Sequence, residues 1–110
     1  GNQVAFFNRV GRPLMLQSLQ GYNVCIFAYG HTGSGKTFTM LGDGTACTTF
    51  TRPRLEGAGL LPRYIKEVFQ AHVDDPMQRA QPPRYSCEFY EVYNEQIRDL
   101  LAPPEAQGNE

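Results

Sequence analysis

Eight residues at positions 30–37, Gly-His-Thr-Gly-Ser-Gly-Lys-Thr, match the spacing G-x-x-x-x-G-K-[ST] of a phosphate-binding loop. In such a loop the backbone N–H groups point inward around a phosphate, and glycine permits the conformations and close approach that this requires. The lysine ammonium can reach the β- and γ-phosphates of a nucleotide, and the threonine hydroxyl can bind Mg²⁺. The predicted phosphate-site residues are Gly30, His31, Thr32, Gly33, Ser34, Gly35, Lys36 and Thr37, with Thr37 as the metal ligand.

The residues on either side of this loop fit the setting that the motif requires. Residues 22–29 (YNVCIFAY) are apolar except at Asn23 and rich in aromatic and β-branched side chains, which predicts a strand buried on both faces. Residues 36–41 then start a helix, whose positive dipole end would face the phosphate. The alternative is a glycine-rich turn beside an ordinary surface lysine, but such a turn has no need for Lys-Thr at a helix start.

The other elements that would position this loop are mainly helical. Apolar residues at helical spacing predict a helix over 3–20 that kinks at Pro13 or begins a second segment there, and that ends at Gly21. A second helix is predicted over 60–71. Between the helices that start at 36 and 60, the glycine- and threonine-rich residues 42–59 predict a long surface loop.

The sequence of the last third of the chain predicts one more strand and a frayed C-terminal tail. Residues 84–94 are dense in Tyr and Phe, which predicts a strand nearer a sheet edge, and residues 95–101 predict a helical turn. Residues 102–110 contain Pro-Pro and no large apolar side chain, which predicts a frayed tail. The pattern indicates an α/β fold, a central sheet flanked by helices, of which 110 residues supply only a part because a strand buried on both faces needs covering on each side.

Composition excludes several kinds of partner. The chain has 10 Lys and Arg, 11 Asp and Glu and a formal net charge of −1, so nothing indicates a nucleic-acid surface. No apolar run has membrane-spanning length, so no membrane insertion is expected. Cys25, Cys47 and Cys87 fit neither a disulfide framework nor a zinc site, which predicts a reducing, cytoplasmic setting. Cys25 and Cys87 lie in apolar runs, which predicts that both thiols are buried.

Other polar residues do not form a catalytic set. His31 lies within the loop, where a solvated ring is more usual than a catalytic one. Glu88, Glu91 and Glu95 do not fall on one face in a way that predicts acid and base roles. Asp99 does not end an apolar strand, so it does not fit the second metal-holding aspartate of a phosphate-loop enzyme. No catalytic residue is therefore predicted.

Three blocks of the sequence, in order, resemble the motor domain of kinesins. Residues 21–40 (GYNVCIFAYGHTGSGKTFTM) are similar to the region around the family's phosphate loop. Residues 59–63 (GLLPR) resemble the segment that resumes the phosphate-loop helix after a surface loop. Residues 89–101 (FYEVYNEQIRDLL) resemble the next strand and the turn after it. The sequence Asn-Val-Cys at residues 23–25 is most similar to the kinesin-three transport branch.

The resemblance implies an ATP-dependent motor that moves along microtubules in the cytoplasm, as part of the cytoskeleton. It implies that residues 30–37 hold the phosphates of ATP or ADP, that Thr37 binds Mg²⁺ and that Phe38 contacts the adenine side of the nucleotide. The 42–59 loop would then lie beside the nucleotide pocket. One difference is His31, which stands where kinesins usually carry glutamine.

Two further segments of the family do not occur in these residues. The chain contains neither an Asn-x-x-Ser-Ser-Arg-Ser-His segment nor an Asp-Leu-Ala-Gly-x-Glu segment, which are the family's two switches. Because hydrolysis at a phosphate loop also needs a γ-phosphate sensor, a second metal holder and a positioned water, we expect no useful hydrolysis from these 110 residues alone. The microtubule-contacting elements would likewise lie mostly outside them.

Alternatives remain open at the level of sequence. The first residue is glycine rather than methionine, which favours a piece of a longer motor over a complete protein. A non-catalytic nucleotide-binding or interaction module derived from a kinesin is the second hypothesis. A small kinase or GTPase with a phosphate loop is the third, although it would need an aspartate-ended strand and a base-specificity motif that the chain does not contain.

Overall fold

The computed structural model describes residues 2–43 and 56–104, and these ranges are mostly helical. The elements in chain order are α1 (Gln3–Phe6), a π-helical turn (Phe7–Gly11), α2 (Arg12–Leu19), α3 (Lys36–Met40), α4 (Leu60–Asp74), α5 (Pro76–Ala80), β1 (Tyr90–Tyr93) and β2 (Gln96–Asp99). The strands β1 and β2 form the one sheet in the described ranges, a two-stranded antiparallel hairpin.

The first helical region covers residues 3–19 and consists of α1, the π-helical turn and α2, which begins at Arg12, next to the proline where the sequence predicted a kink or a second segment. The side chain of Asn2 caps α1 by accepting hydrogen bonds from the N–H groups of the second and third helical residues. The N–H of Arg12 then donates to the carbonyl of Phe7, five residues back, which widens the helix just before Pro13. The irregularity therefore precedes the proline, which lacks an N–H of its own and sits in the first turn of α2.

The end of α2 has the hydrogen bonds of a glycine-capped helix. Gly21 lies in the left-handed region with φ of 99°. Its N–H donates to the carbonyl of Ser18 at 3.0 Å, and the N–H of Tyr22 donates to Gln17 at 3.2 Å. This pair of bonds is the Schellman pattern, which satisfies carbonyls that the helix leaves without partners.

The apolar core lies where the π-helical turn and α2 meet the start of α4. Phe7, Met15, Ala58 and Leu60 are each at most 3% exposed. Gly11 makes room for this packing, because a Cβ atom there would lie 2.6 Å from the ring of Phe7. The core is small, and it fixes the first helical region against α4.

Polar contacts on the flank of the core join α2 to α4. The guanidinium of Arg12 forms an ion pair with Glu67, with its closest N···O distance 3.1 Å, and lies over the ring of Phe7 at 5.4 Å. The hydroxyl of Tyr64 donates to the Ser18 hydroxyl oxygen at 2.7 Å. Both contacts set the position of α4 relative to the first helical region.

The ends of α3 and α4 are joined directly by backbone bonds. Gly42 and Ala58 form an isolated antiparallel bridge. The N–H of Asp43 donates to Gly57 at 3.0 Å, and the N–H of Gly59 donates to the carbonyl of Leu41 at 3.0 Å. The interior of the surface loop predicted over 42–59, including Cys47, lies outside the described residues.

The strand predicted over 22–29 is not formed in this structure, where the segment has no regular secondary structure. Phe27 and Tyr29 are 82% and 95% exposed, and Cys25 is exposed rather than buried. A strand needs a neighbour that accepts and donates its backbone hydrogen bonds. Within residues 2–43 and 56–104, no strand pairs with this segment.

The C-terminal hairpin also differs from the prediction. Of the strand predicted over 84–94, residues 90–93 form β1, and β2 replaces the helical turn predicted over 95–101. Asn94 and Glu95 have φ of 54° and 64°, which is the combination of a two-residue type I′ hairpin turn. Cys87 precedes the hairpin and is exposed, contrary to its predicted burial. Residues 105–110 of the predicted frayed tail lie outside the described residues.

The part of the chain that the structure describes leaves many large apolar side chains in contact with solvent. Tyr22, Tyr29 and Met77 are 66%, 95% and 79% exposed, which is more than a compact domain leaves accessible. The central sheet that the sequence predicted is not formed in the described ranges, where the only sheet is the exposed hairpin. None of the described helices is long and apolar enough to cross a membrane.

Candidate functional site

Glycines give the 30–37 loop its shape. Gly33 and Gly35 lie in the left-handed region with φ of 84° and 96°, and Gly35 is the residue directly before α3. A side chain at either position would be strained. Gly30 is required for a different reason, because a Cβ there would lie 2.4 Å from the hydroxyl oxygen of Ser34. The loop therefore folds back on itself immediately before the helix begins.

The lysine of the motif closes the loop from within. Its ammonium, Lys36 Nζ, donates to the carbonyl of Gly30 at 2.5 Å. Inside the loop, the N–H of Ser34 donates to the carbonyl of His31 at 3.1 Å. An ammonium has three N–H donors, so the bond to Gly30 leaves two that can reach an anion held by the loop.

The ring of His31 makes a local contact and is exposed. Its Nδ1 lies 2.8 Å from the carbonyl of Thr32. Because a carbonyl only accepts, we infer that Nδ1 carries the proton and donates. The histidine ring thus contacts the backbone of the next residue in the loop.

The first turn of α3 carries Thr37 and Phe38 at its surface. Both side chains are exposed, Phe38 to 48%. The N–H of Thr39 donates to Gly35 at 2.9 Å, which starts the helix directly at the end of the loop. The side chain of Gln3 donates from Nε2 to the carbonyl of Phe38 at 2.9 Å. Sequence reasoning did not single out Gln3, since a polar residue at a helix start gives no signal of a contact 35 positions away.

A cavity of about 310 Å³ lies beside the loop, on the side of the apolar core. Ser34, Gly35 and Lys36 line it, together with apolar side chains of α1, the π-helical turn, residues 26–29 and α4. Thr37 and Phe38 are not among its lining residues. The structure thus brings together the phosphate-loop residues in one turn of chain, but it places Thr37 and Phe38 on a different face from the cavity.

The donor set of the loop fits a phosphate better than a metal cage. Across residues 2–43 and 56–104, no three His, Cys, Asp or Glu side chains gather as a metal site. The loop offers a lysine ammonium, a helix start and left-handed glycines, which are groups that suit an anion. A Mg²⁺ ion would therefore need oxygens from a bound phosphate in addition to the hydroxyl of Thr37.

Comparison with known proteins places these residues among motor sequences. The family model described as "Kinesin motor domain" matches residues 1–110. The chain is 42% identical over 105 residues to the kinesin-like protein KIN-12F of Oryza sativa subsp. japonica, covering 93% of this chain and 4% of that protein. It is 41% identical over 104 residues to the kinesin-like protein cut7 of Schizosaccharomyces pombe, covering 94% of this chain and 9% of that protein.

A third relative extends the comparison to an animal protein. The chain is 34% identical over 102 residues to the kinesin-like protein KIF1B of Homo sapiens, covering 93% of this chain and 5% of that protein. The chain thus spans 4% to 9% of the length of these relatives. Identities in this narrow range do not select a branch, so the similarity to the kinesin-three branch stays a prediction.

Proposed function

This chain belongs to the kinesin motor domain family, which confirms the resemblance found in its sequence, and we propose that it is the ATP-binding part of a microtubule motor. The motor would couple ATP hydrolysis to movement along microtubules. The observation that carries the proposal is the turn formed by Gly33 and Gly35 directly before α3, with the ammonium of Lys36 bound at the start of the same loop.

The loop would bind the phosphates of ATP or ADP. Left-handed glycines turn successive N–H groups toward one point, which creates a site for an anion. Lys36 already lies against the carbonyl of Gly30, so its ammonium is held at the loop and can extend to the β- and γ-phosphates. His31 and Thr32 form the outer part of the loop, where their role would be to shape it.

Two residues of α3 would complete the nucleotide site. Thr37 would place its hydroxyl on Mg²⁺, which the phosphate oxygens also hold. The ion, when bound, neutralises charge on the phosphates. Phe38 is half-exposed, so its ring is available to stack on adenine. Both roles come from the family resemblance and from the exposure of these side chains.

We propose that these 110 residues do not hydrolyse ATP at a useful rate without further elements. The sequence contains neither switch segment of the family. Among the described residues, no group of His, Cys, Asp or Glu side chains is placed to hold a metal ion. The chain would therefore contribute binding and orientation of the phosphates. The water-positioning groups would come from elsewhere in the motor.

Microtubule binding would likewise depend mostly on other parts of the motor. With a net charge of −1, this chain has no overall positive charge to attract an acidic filament. We propose a cytoplasmic location on the microtubule cytoskeleton, and no nucleic-acid partner. These assignments follow from family membership and from the charge balance.

A second candidate function is a non-catalytic nucleotide-binding or interaction module. The absence of both switch segments from the sequence favours it, because a phosphate loop without them can bind nucleotide but cannot sense the γ-phosphate. Such a module would bind ATP and ADP with similar affinity. A motor part would bind nucleotide tightly only when joined to the rest of its domain.

The test is a calorimetric titration of ATP and of ADP, each with Mg²⁺, into the chain. Tight binding by the chain alone supports the self-sufficient module, and no binding supports a part that needs the rest of its motor domain. We expect Lys36→Ala to weaken binding at least about tenfold, because it removes a charge-assisted hydrogen bond to phosphate. The matched control is Lys66→Ala, which removes the same charge from an exposed position on α4 and should leave affinity unchanged. Equal loss in both variants would mean that general charge, rather than the loop, binds the nucleotide.

The proposal about hydrolysis has its own measurement. Phosphate release is followed with ATP and Mg²⁺ in excess over the chain. We expect no release above the rate of the Lys36→Ala variant. Magnesium-dependent release that Lys36→Ala abolishes would show that these residues hydrolyse ATP unaided, contrary to the proposal.

A further inference from the structure

The C-terminal turn of α3 is capped by a side chain from another helix. The N–H groups of Leu41 and Gly42 both donate to the carbonyl of Thr37, at 2.8 and 3.2 Å. The next N–H along the chain, that of Asp43, donates to Gly57 instead. The helix therefore supplies no N–H of its own to the carbonyl of Phe38, and Gln3 Nε2 donates to that carbonyl at 2.9 Å.

Gln3 is held in place for this contact by the start of its own helix. It is the first residue of α1, directly after the capping residue Asn2. Asn2 Oδ1 accepts from the N–H of Val4 at 2.9 Å and from that of Ala5 at 3.3 Å. Gln3 is half-buried as a residue, and its hydrogen bond to Phe38 is exposed to solvent. The fixed backbone at the helix start reduces the entropy cost of keeping the amide on its acceptor.

The contact reaches one part of the proposed nucleotide site and not the other. Gln3 bonds the peptide unit of Phe38, the residue that would face the base. The phosphate loop is closed by different groups, Lys36 on Gly30 and Ser34 on His31. The first helical region thus holds the base side of the site, whereas the loop holds the phosphate side by itself.

We propose that Gln3 is a positioning residue that sets affinity for the base of the nucleotide through Phe38, without changing phosphate binding. This inference rests on the proposed nucleotide function. The amide fixes the last turn of α3 and with it the direction of the Phe38 ring. Loss of the amide frees that turn, and the ring then loses stacking on the base.

The experiment compares ATP with inorganic tripolyphosphate, which has the phosphates but no base. Binding of each, with Mg²⁺, is measured calorimetrically for the chain and for Gln3→Glu, which keeps the side-chain shape but replaces the N–H donor by an acceptor. We expect ATP to bind about fivefold to tenfold more weakly and tripolyphosphate to change less than about twofold. Gln81→Glu, an exposed position outside the site, is the charge control and should change neither ligand.

A double-mutant cycle tests whether the effect passes through Phe38. Phe38→Ala should weaken the binding of ATP and leave the binding of tripolyphosphate unchanged. Adding Gln3→Glu to Phe38→Ala should lower the affinity for ATP only a little further. Gln3→Lys restores an N–H donor and should recover most of the ATP affinity. The inference would be wrong if the losses of ATP affinity in Phe38→Ala and Gln3→Glu were additive in the double variant. It would also be wrong if Gln3→Glu lost affinity for ATP and tripolyphosphate equally, and Gln3 would then have a general structural role.

The two levels of the proposal fail in different ways. If the unaltered chain binds neither ATP nor tripolyphosphate, these residues do not form a nucleotide site without the rest of a motor domain, and the inference about Gln3 falls with that site. If the unaltered chain binds both in a Lys36-dependent manner and Gln3→Glu binds ATP as well as the original does, only the role of Gln3 is wrong.

Discussion

Two apolar regions of this chain differ sharply in burial. Phe7, Met15 and Leu60, which belong to helices, are at most 3% exposed, whereas Phe27 and Tyr29 in the irregular segment 22–29 are 82% and 95% exposed. A helix makes its backbone hydrogen bonds within itself, so it needs only one apolar neighbour. A strand leaves its N–H and C=O groups for adjacent strands. Burial of an apolar segment thus depends on whether its backbone hydrogen bonds are made within the segment or by a neighbouring strand.

The largest loss of stability should come from a substitution in the apolar core between the helices. Leu60→Ala removes a side chain that is 2% exposed at the centre of the core, and we expect it to lower the free energy of unfolding by about 2–4 kcal/mol. Urea unfolding followed by far-UV circular dichroism measures this. Leu61→Ala, at a position 38% exposed, is the matched control and should cost less than about 1 kcal/mol. Equal costs would mean that the core is not centred on Leu60.

A smaller effect is expected at the junction of α3 and α4. A Cβ at Gly42 would lie 2.2 Å from the carbonyl oxygen of Gly57, and the residue has φ of 107°. We expect Gly42→Ala to destabilise the chain by about 2–3 kcal/mol, combining steric clash and strain. Gly21→Ala shares the strain, with φ of 99°, but meets no atom within 4 Å, so it should cost about 1 kcal/mol. If the two variants unfold alike in urea, backbone strain alone accounts for Gly42.

The ion pair between α2 and α4 should contribute less to the free energy of unfolding. The side chains of Arg12 and Glu67 are 41% and 36% exposed, so solvent screens their attraction. A double-mutant cycle with Arg12→Ala, Glu67→Ala and the double variant should give a coupling of about 0.5 kcal/mol, lower at high salt. A coupling above about 1.5 kcal/mol that salt does not reduce would show a pair shielded from solvent.

The smallest change in stability is expected in the irregular segment 22–29. Phe27→Ala removes a ring that is 82% exposed, so the free energy of unfolding should change by less than about 0.5 kcal/mol. Phe7→Ala, the same change at 3% exposure, should cost about 3 kcal/mol or more. A large loss for Phe27→Ala would break the contrast, since it would place that ring in a packed environment.

The helices were open to prediction from sequence because their causes are local. The apolar spacing of residues 3–20 and 60–71 and the glycine at position 21 are signals within one or two turns of chain, and the structure has helices α1, α2 and α4 in those ranges. The phosphate loop is local in the same sense: its glycines and Lys36 interact with residues at most six positions away. The widened turn at Phe7–Gly11 was not foreseen, because it depends on how the ring of Phe7 packs against Gly11 and α4.

The strands were less predictable because their partners are not local. Residues 22–29 read as a buried strand, but the described chain offers no neighbouring strand for them. The hairpin was missed for another reason. The Asn94-Glu95 pair forms its two-residue turn, and asparagine in this position was the available signal. Pairing of Glu91 with Arg98, 3.1 Å apart, then favours β2 over the helical turn that was expected.

The bridge between Gly42 and Ala58 bears on how this protein can change over time. It joins the end of α3 to the start of α4 by backbone bonds, so the alignment of the two helices is set by the residues on either side of positions 44–55. Doubling the length of a closed loop costs only about 0.6 kcal/mol. Insertions and deletions between these two anchor points can therefore accumulate while the phosphate loop, one short helix away, keeps its place.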